Sequence, residues 1–166
     1  MPVIRVARLE DIPLIQNLAH QTWPDGYGNI LSAEQLEYML EKFYSTSSLR
    51  NQFVNLHHNF ILVLDENVPV GFASFSSKET NISIHRLHKI YVLPTQQGTG
   101  TGKLLLDYVI EKSRAAGAIF LELNVNRNNK ARHFYEKQGF KVEEEADIDI
   151  GNGFYMNDYI MRLQLP

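Results

Sequence analysis

A glycine-rich stretch between an apolar strand and an apolar helix is the feature that most constrains the fold of this chain. Residues 96–103 read QQGTGTGK, and the apolar run Leu104–Leu106 follows directly. Glycine loses more conformational freedom on folding than other residues, so such a loop is favoured where the main chain must turn sharply or approach another group closely. A strand, a glycine-rich turn and a helix in this order direct free N–H groups and the positive end of the helix dipole to one point, which suits a phosphate or pyrophosphate.

Two other interpretations of this loop must be weighed. The glycines can serve only to let the helix pack on the sheet, because short glycine motifs are weakly specific. The second interpretation is a nucleotide-binding α/β protein, but the loop does not have the spacing of the familiar nucleotide motifs. Lys103 is followed by Leu104, whereas a P-loop requires serine or threonine there, and Gly102 comes one residue too early for a dinucleotide fingerprint. The loop spacing therefore disfavours a nucleotide site.

Length and composition fit one globular domain over residues 1–166. Cysteine is absent, which excludes disulfides and a cysteine nucleophile, and the histidines at positions 85 and 88 lack the helical context of a metal motif. No apolar run approaches the roughly 20 residues that span a bilayer, and the N-terminus lacks a signal-peptide core, so we expect a soluble, cytoplasmic protein with no membrane partner. The formal net charge of -3 argues against a nucleic-acid partner and is compatible with a cationic substrate.

The hydrophobic patterns predict an α/β domain in which helices pack on a mixed sheet. The predicted strands are Val3–Arg8, Phe60–Leu64, Val68–Phe75, Ile84–Leu93, Ile119–Val125, Lys141–Ile150 and Phe154–Leu165. Helices are predicted to begin near Glu10 and Ser32, to follow the glycine loop as far as Gly117, and to cover Asn128–Gln138. An aromatic and glycine-rich loop is expected at Trp23–Gly28, between the first two helices.

Two motifs resemble those of the GNAT superfamily of acyl-CoA-dependent N-acetyltransferases. The loop is similar to the family's Q/R-x-x-G-x-G/A through Gln97, Gly100 and Gly102, and it follows the strand His88–Pro94. The segment Leu123–Phe140 is similar to the family's L-x-V-x-x-x-N-x-x-A-x-x-F/L-Y-E-K-x-G-F. The resemblance covers most of the chain and implies the GNAT fold, a mixed, mostly antiparallel central sheet of about seven strands with helices on both faces. Gln97 stands where many members have arginine, which removes one charge near the phosphates.

The resemblance implies acetyl-CoA as the cofactor and gives roles to the matching residues. Main-chain groups of the strand before the loop would pair with the pantetheine arm as if it were an added strand, and the loop amides would hold the pyrophosphate. The residues expected to bind the cofactor are Ile90, Tyr91, Val92, Gln97, Gly98, Thr99, Gly100, Thr101, Gly102, Lys103, Asn128, Tyr135 and Lys137. The alternatives are a plain strand core for Ile90–Val92, a helix cap for Asn128, a packed aromatic for Tyr135 and a solvated side chain for Lys137.

Acyl transfer to an amine requires a proton donor for the departing thiolate and a base for the ammonium. Tyr135 is the acid that the resemblance implies, since a phenol with a pKa near 10 is protonated at neutral pH. His88 is the candidate base, because alternation along the strand would put Arg86, His88 and Ile90 on one face, and a histidine pKa near 6.5 suits the task. One alternative is that ordered water, and not a basic side chain, takes the proton from the ammonium. The other is that His85 and His88 are plain histidines on the strand surface.

The first two helices, their loop and the final hairpin are expected to select the substrate. The aromatic and acidic candidates there are Trp23, Asp25, Tyr27 and Glu34. Such groups suit an organic cation, although helices also expose them without any ligand. The segments Gln21–Trp23, Ser32–Gln35 and Gly153–Met161 look like the spermidine/spermine N-acetyltransferase (PaiA-like) branch of bacterial GNAT proteins.

This resemblance makes a small-molecule amine such as spermidine or spermine the expected acceptor. A peptide or protein N-terminus, or another small amine, is the alternative within the same chemistry. A non-catalytic acyl-CoA-binding sensor is the alternative of another class. Family members often form homodimers, and the sequence leaves the oligomeric state open.

Overall fold

Seven strands form one mixed sheet in the computed structural model, which describes residues 1–166. The strands are β1 (Val3–Val6), β2 (Asn59–Asp65), β3 (Val68–Ser77), β4 (Ile84–Val92), β5 (Phe120–Asn126), β6 (Lys141–Gly151) and β7 (Phe154–Gln164). Their order across the sheet is β1-β2-β3-β4-β5-β7-β6, and every neighbouring pair is antiparallel except β4 and β5. The predicted mixed, mostly antiparallel sheet is confirmed.

Five helices cover the two faces of this sheet. On one face lie α1 (Ile12–Tyr27), α2 (Ala33–Tyr44) and α3 (Thr46–Val54), and on the other lie α4 (Thr101–Ala115) and α5 (Ala131–Lys137). Alternation along the strands divides the apolar core accordingly, since Phe60 and Leu62 pack under α1–α3 whereas Ile61 and Val63 pack under α4. None of the helices has the length and apolar character that a bilayer crossing requires.

The segment Trp23–Gly28, predicted as a loop, is helical as far as Tyr27. The helix α1 continues through Pro24, whose carbonyl accepts a hydrogen bond from the Gly28 N–H at 2.9 Å. Proline removes one hydrogen bond from a helix interior. The Trp23 side chain is only 4% exposed and its ring centroid lies 4.8 Å from that of Tyr27, so aromatic packing offsets the loss. The loop prediction is wrong because tertiary packing outweighs the local helix-breaking residues.

The parallel pair β4 and β5 is joined only along its first part. Pairing runs from Ile84 opposite Phe120 to Leu87 opposite Leu123 and then stops, although the strands continue to Val92 and Asn126. Each strand keeps its partner on the other side, because β4 stays paired with β3 and β5 with β7. A gap therefore opens within the sheet, between two strands that are held on their outer sides.

A buried carboxylate ties β4, β5 and β7 together beside this gap. Glu122 lies on β5 and is only 3% exposed. Its oxygens accept hydrogen bonds from Lys78 at 3.1 Å, Arg86 at 3.4 Å and Arg162 at 3.0 Å. Burial acts to raise the pKa of Glu122, but the hydrogen bonds from Arg162 and Lys78 outweigh it and leave the pKa below its ordinary value. Three cations from different parts of the sheet therefore meet at one carboxylate.

Replacing Glu122 by glutamine is expected to lower the free energy of unfolding at pH 7 by about 2 kcal/mol, because the cations lose their shared anion while remaining partly solvated. Since the folded-state pKa of Glu122 is depressed, its contribution is present above its ordinary pKa of 4.5 and is lost as the pH falls through the folded value. The difference between Glu122→Gln and the parent, measured by urea denaturation, should therefore shrink below about pH 4.5.

The matched control is Glu111→Gln, which removes an exposed pair with Arg114 on α4 and should cost less than about 1 kcal/mol. A Glu122→Gln protein that is as stable as the parent at pH 7 would show that the carboxylate does not hold these strands together.

Candidate active site

A cleft of about 920 Å³ occupies the gap between β4 and β5. Its walls are formed by residues of β4 from Leu87 to Val92, of the glycine loop and first turn of α4 from Gln96 to Lys103, and of the segment from Asn128 to Tyr135. These are the strand, the loop and the second motif that the sequence singles out. Three stretches that are separate in the chain therefore line a single cleft.

The edge of β4 that faces the cleft presents main-chain groups without a strand partner. On the opposite edge, Leu93 donates its N–H to the Val70 carbonyl of β3 at 2.9 Å. Because main-chain groups alternate in direction along a strand, Tyr91 turns its N–H and C=O toward β3, while Ile90 and Val92 turn theirs into the cleft. The expected main-chain role thus suits Ile90 and Val92 and is corrected for Tyr91, whose main chain is used within the sheet.

The glycine loop places the N-terminus of α4 at the cleft. Gly98 and Gly100 have φ angles of 79° and 90°, in the left-handed region that favours glycine. The first hydrogen bond of α4 runs from the Leu104 N–H to the Gly100 carbonyl at 3.0 Å, so the N–H groups of Gly102 and Lys103 have no main-chain acceptor. Free N–H groups at the positive end of a helix form an anion-binding arrangement.

The threonine side chains of the loop hold its shape, and neither threonine lines the cleft. Thr101 is buried, and its hydroxyl donates to the side-chain oxygen of Gln96 at 3.2 Å and lies 2.9 Å from the Thr99 hydroxyl. The Lys103 ammonium pairs with Asp107 at 2.7 Å on the exposed side of α4. The contacts expected from Thr101 and Lys103 therefore depend on their main-chain N–H groups. The Thr99 N–H already donates to the Gln96 carbonyl at 3.3 Å, so the expected contact of Thr99 has no support in the geometry.

The second motif contributes two of its three expected residues to the cleft. Asn128 lines the cleft and donates its N–H to the Asn126 side-chain oxygen at 2.9 Å, in a turn that precedes α5. Because α5 begins at Ala131, Asn128 is not the residue that caps this helix. Lys137 is exposed at the end of α5 and lies outside the cleft, so its expected contact with the cofactor has no support in the geometry.

Tyr135 projects from α5 into the cleft. The residue is 7% exposed, and its ring packs against those of Phe134 and Phe140 with centroids 5.4 and 5.8 Å away. Burial raises the pKa of Tyr135 above the ordinary value of 10, and the neighbouring Tyr27 adds to this effect. The hydroxyl is therefore protonated throughout the neutral range and is a weaker acid than a free phenol.

A β-bulge at His88 changes which side chains of β4 share a face. The register between β3 and β4 shifts at this residue, which has no partner of its own. As a result, Lys89 and Tyr91 face the side of α1–α3, whereas Ile90 packs with the apolar cluster under α4. The prediction that Arg86, His88 and Ile90 share one face is wrong, because the bulge interrupts strict alternation.

His88 lies on the α1–α3 side in a confined position. Its ring stacks on that of His58 with centroids 3.8 Å apart, and its Nε2 atom is 2.7 Å from the Ser76 hydroxyl. Burial lowers the pKa of His88 to about 2, and His58, Lys89 and Arg86 act in the same direction. A histidine that resists protonation this strongly is a weak base, so the environment argues against its expected role as general base.

A second cavity of about 310 Å³ adjoins the cleft on the α1–α3 side of the sheet. Both are lined by Tyr27, His88, Lys89, Tyr91 and Asn124, so they meet in the gap between β4 and β5. The remaining walls of the second cavity come from α1, α2, α3 and the hairpin of β6 and β7. Two adjoining chambers suit a reaction between two bound molecules.

Three of the four residues expected to bind the substrate line these chambers. Trp23 lines the second cavity, and Tyr27 lines both chambers. The Tyr27 hydroxyl lies 3.2 Å from that of Tyr91. Asp25 is exposed at the rim of the cleft. Glu34 lines neither chamber, because it lies on the exposed side of the first turn of α2. Its expected contact with the substrate therefore has no support in the geometry.

Sequence reasoning missed two charged residues of the second cavity, Lys89 and Asp158. The Lys89 ammonium donates to the Gln52 side-chain oxygen at 2.8 Å, and burial lowers its pKa to about 8. Asp158 is buried, accepts a hydrogen bond from Asn124 at 3.3 Å, and has a pKa that burial raises. Each strand also carries an arginine, Arg86 on β4 and Arg162 on β7, so a charge within a strand did not by itself single out Lys89 or Asp158.

Comparison with known proteins gives one consistent family. The profile of the Acetyltransferase (GNAT) domain matches residues 29–163. The chain is 28% identical to the spermidine N(1)-acetyltransferase of Thermoplasma acidophilum over 151 residues, which cover 88% of this chain and 92% of that protein. It is 35% identical to the [ribosomal protein bS18]-alanine N-acetyltransferase of Haemophilus influenzae over 112 residues, covering 68% of this chain and 70% of that protein.

Solved structures show the same fold. The PaiA N-acetyltransferase of Thermoplasma acidophilum, crystallised in complex with coenzyme A, matches with a TM-score of 0.84 and 26% identity over 99% of each chain. The ribosomal-protein-S18-alanine N-acetyltransferase of Escherichia coli matches with a TM-score of 0.74 and 18% identity over 99% of this chain and 94% of that one. The second likeness is one of fold alone.

The two glycines at the start of α4 are expected to respond differently to a methyl group. In Gly102→Ala the new Cβ would lie 4.0 Å from the Phe134 ring, so the free energy of unfolding should stay constant or rise by up to about 1 kcal/mol. The dissociation constant for coenzyme A, measured by calorimetry, should rise about tenfold or more as the main chain loses its close approach to an anion.

Gly100→Ala is the contrasting variant, because its φ of 90° makes any side chain unfavourable. It should lose about 1–2 kcal/mol of stability in addition to affinity. A Gly102→Ala protein that binds coenzyme A as tightly as the parent would contradict the placement of the anion at this helix end.

Proposed function

The chain belongs to the GNAT acetyltransferase family and is an acetyl-CoA-dependent N-acetyltransferase, and from this premise we propose that residues 1–166 form one domain that acetylates a primary amine held in the second cavity. The observation that carries the proposal is the junction of the two chambers in the gap between β4 and β5. An acceptor in the second cavity would meet the cleft only there. We infer direct attack by the amine, since the chain has no cysteine to carry the acetyl group as a thioester.

The cleft fits acetyl-CoA on the protein's own geometry. Ile90 and Val92 offer an unpaired strand edge, which suits an extended arm that carries amide groups. Gly102 and Lys103 offer free N–H groups at a helix N-terminus, which suit a pyrophosphate. When bound, acetyl-CoA supplies the thioester carbonyl that the amine attacks.

On the cleft side, the groups that would contact the reacting atoms are the Ile90 main chain and the Tyr135 phenol. Ile90 directs its N–H into the gap and would stabilise the carbonyl oxygen, since a fixed donor costs no reorganisation during the reaction. Tyr135 holds a proton at its hydroxyl for the departing sulfur. Because the pKa of Tyr135 is raised and that of an alkyl thiol is about 8.5, proton transfer is uphill, and the phenol acts mainly by donating a hydrogen bond to the sulfur.

Asp158 is assigned to the amine on the acceptor side. It is the only carboxylate that lines the second cavity, so it is the group there that attracts an ammonium. Burial raises its pKa, which makes it a better proton acceptor than an ordinary aspartate. We assign the proton of the amine to Asp158 and not to His88, because burial lowers the pKa of His88 to about 2 and makes it a weak base.

Two acceptors have support among the relatives. Spermidine or spermine is supported by the 28% identity to a spermidine N(1)-acetyltransferase over 88% of this chain. A peptide or protein N-terminus is supported by the 35% identity to a ribosomal-protein alanine N-acetyltransferase over 68% of it. A homodimer stays a prediction that analytical ultracentrifugation can measure.

The proposal is tested by thiol release from acetyl-CoA in the presence of polyamines, monoamines, amino acids and short peptides, with mass spectrometry of the products. Saturable release with at least one primary amine, and an N-acetylated product, is the expected result. If acetyl-CoA binds but no amine releases thiol, the protein is better described as an acyl-CoA sensor.

Tyr135→Phe is expected to lower kcat by about a hundredfold while leaving the dissociation constant of acetyl-CoA unchanged. Because the pKa of Tyr135 lies above 10, ionisation of this group should not reduce the parent rate between pH 7 and about 9. Steady-state rates across this range, with calorimetry for binding, provide the measurement.

Tyr108→Phe is the matched control, since Tyr108 lies on α4 outside both chambers. Equal rates for Tyr135→Phe and the parent at every pH would remove Tyr135 from the reaction.

A further inference from the structure

Lys89 is a cation that has no carboxylate partner. Its ammonium makes one hydrogen bond, to the Gln52 side-chain oxygen at 2.8 Å, and lies over the rings of Tyr44 and Phe60 at 5.3 and 5.9 Å from their centroids. An ammonium has three donors, so two remain for another partner. Lys89 also lines both chambers, which places this side chain beside the acceptor.

The other cations of this sheet region already share a carboxylate partner. Lys78, Arg86 and Arg162 all meet at Glu122, and Arg86 also donates to the Asn124 side-chain oxygen. None of the three lines the second cavity. Lys89 is the remaining positive charge that faces the acceptor.

The charges of the second cavity add up to one positive and one negative group. Asp158 is its carboxylate and Lys89 its ammonium. The two histidines count as neutral, because burial lowers the pKa of His58 to about 4 and that of His88 to about 2. A polyamine would bring several ammonium groups to a poorly solvated cavity that already holds one, which is unfavourable.

We propose that Lys89 binds an anionic group of the acceptor, so that the preferred substrate is a small amine that also carries a carboxylate, such as an amino acid, and not a polyamine. Asp158 attracts the ammonium end of such a molecule, and Lys89 with its two free donors binds the carboxylate end. This inference rests on the proposed amine acetyltransferase function and narrows its acceptor.

Pairs of amines that differ only by a carboxylate test the inference, with thiol release from acetyl-CoA as the readout. Suitable pairs are ornithine with putrescine and phenylalanine with phenethylamine. For the parent, kcat/KM should be about tenfold or more higher for the carboxylate-bearing member, as expected for one charge-assisted hydrogen bond. Lys89→Met, which keeps an apolar stem, should reduce this ratio to about one, and Lys89→Arg should retain a preference.

Lys42→Met is the matched control, because Lys42 lies on α2 outside both chambers and its loss should leave the ratio unchanged. Thermal melting confirms that each variant is folded. A parent that prefers putrescine over ornithine, or a Lys89→Met protein that keeps the parent ratio, overturns the role of Lys89 while the acetyltransferase function stands.

If no amine is acetylated, the proposed function fails, and binding decides the role of Lys89 separately. Calorimetry of the coenzyme A complex with N-acetylphenylalanine and N-acetylphenethylamine needs no turnover. Tighter binding of the carboxylate-bearing compound to the parent but not to Lys89→Met supports the inference, and equal binding of both compounds to the parent overturns it.

Discussion

The early end of hydrogen bonding between β4 and β5 is the constraint on which the rest of the site depends. A sheet normally satisfies its interior main-chain groups by pairing, so a gap within it leaves donors and acceptors that need another partner. The sheet tolerates the gap because β3 and β7 hold the outer sides of the two strands. Glu122 ties the strands on the side where they are still paired, through cations from β4 and β7. The open strand edge is thereby fixed in place and available to a ligand.

The two chambers on either side of this gap differ in their electrostatics. On the cleft side, the free N–H groups at the start of α4 create a positive potential, which suits phosphates. On the acceptor side, Asp158 and Lys89 provide one charge of each sign in a partly desolvated space. At the junction, Lys89 lies among Tyr27, His88 and Tyr91. A nearby cation and partial burial both favour the neutral form of an amine, which the reaction requires.

The sequence predicts those parts of the fold and site that are determined by residues close together in the chain. The glycine loop and the motif around Tyr135 were found because their residues are close in the chain, and the predicted sheet is confirmed. The helical course of Trp23–Tyr27 and the bulge at His88 were not predicted, because both are decided by partners distant in sequence. The bulge is also the reason that Lys89 was not predicted as a site residue, since strict alternation would have placed its side chain on the opposite face from His88. Asp158 stayed unnoticed because its neighbours across β5 and β6 are known only from the register.

The most direct measurement is amide hydrogen exchange, resolved by residue, with and without coenzyme A. If the ligand completes the open edge of β4, exchange should slow at Ile90 and Val92 and at Gly102 and Lys103, whereas Tyr91 should be slow in both states because its main chain already pairs with β3. Coenzyme A binding that leaves exchange at Ile90 and Val92 unchanged would contradict the assignment of this strand edge to the cofactor.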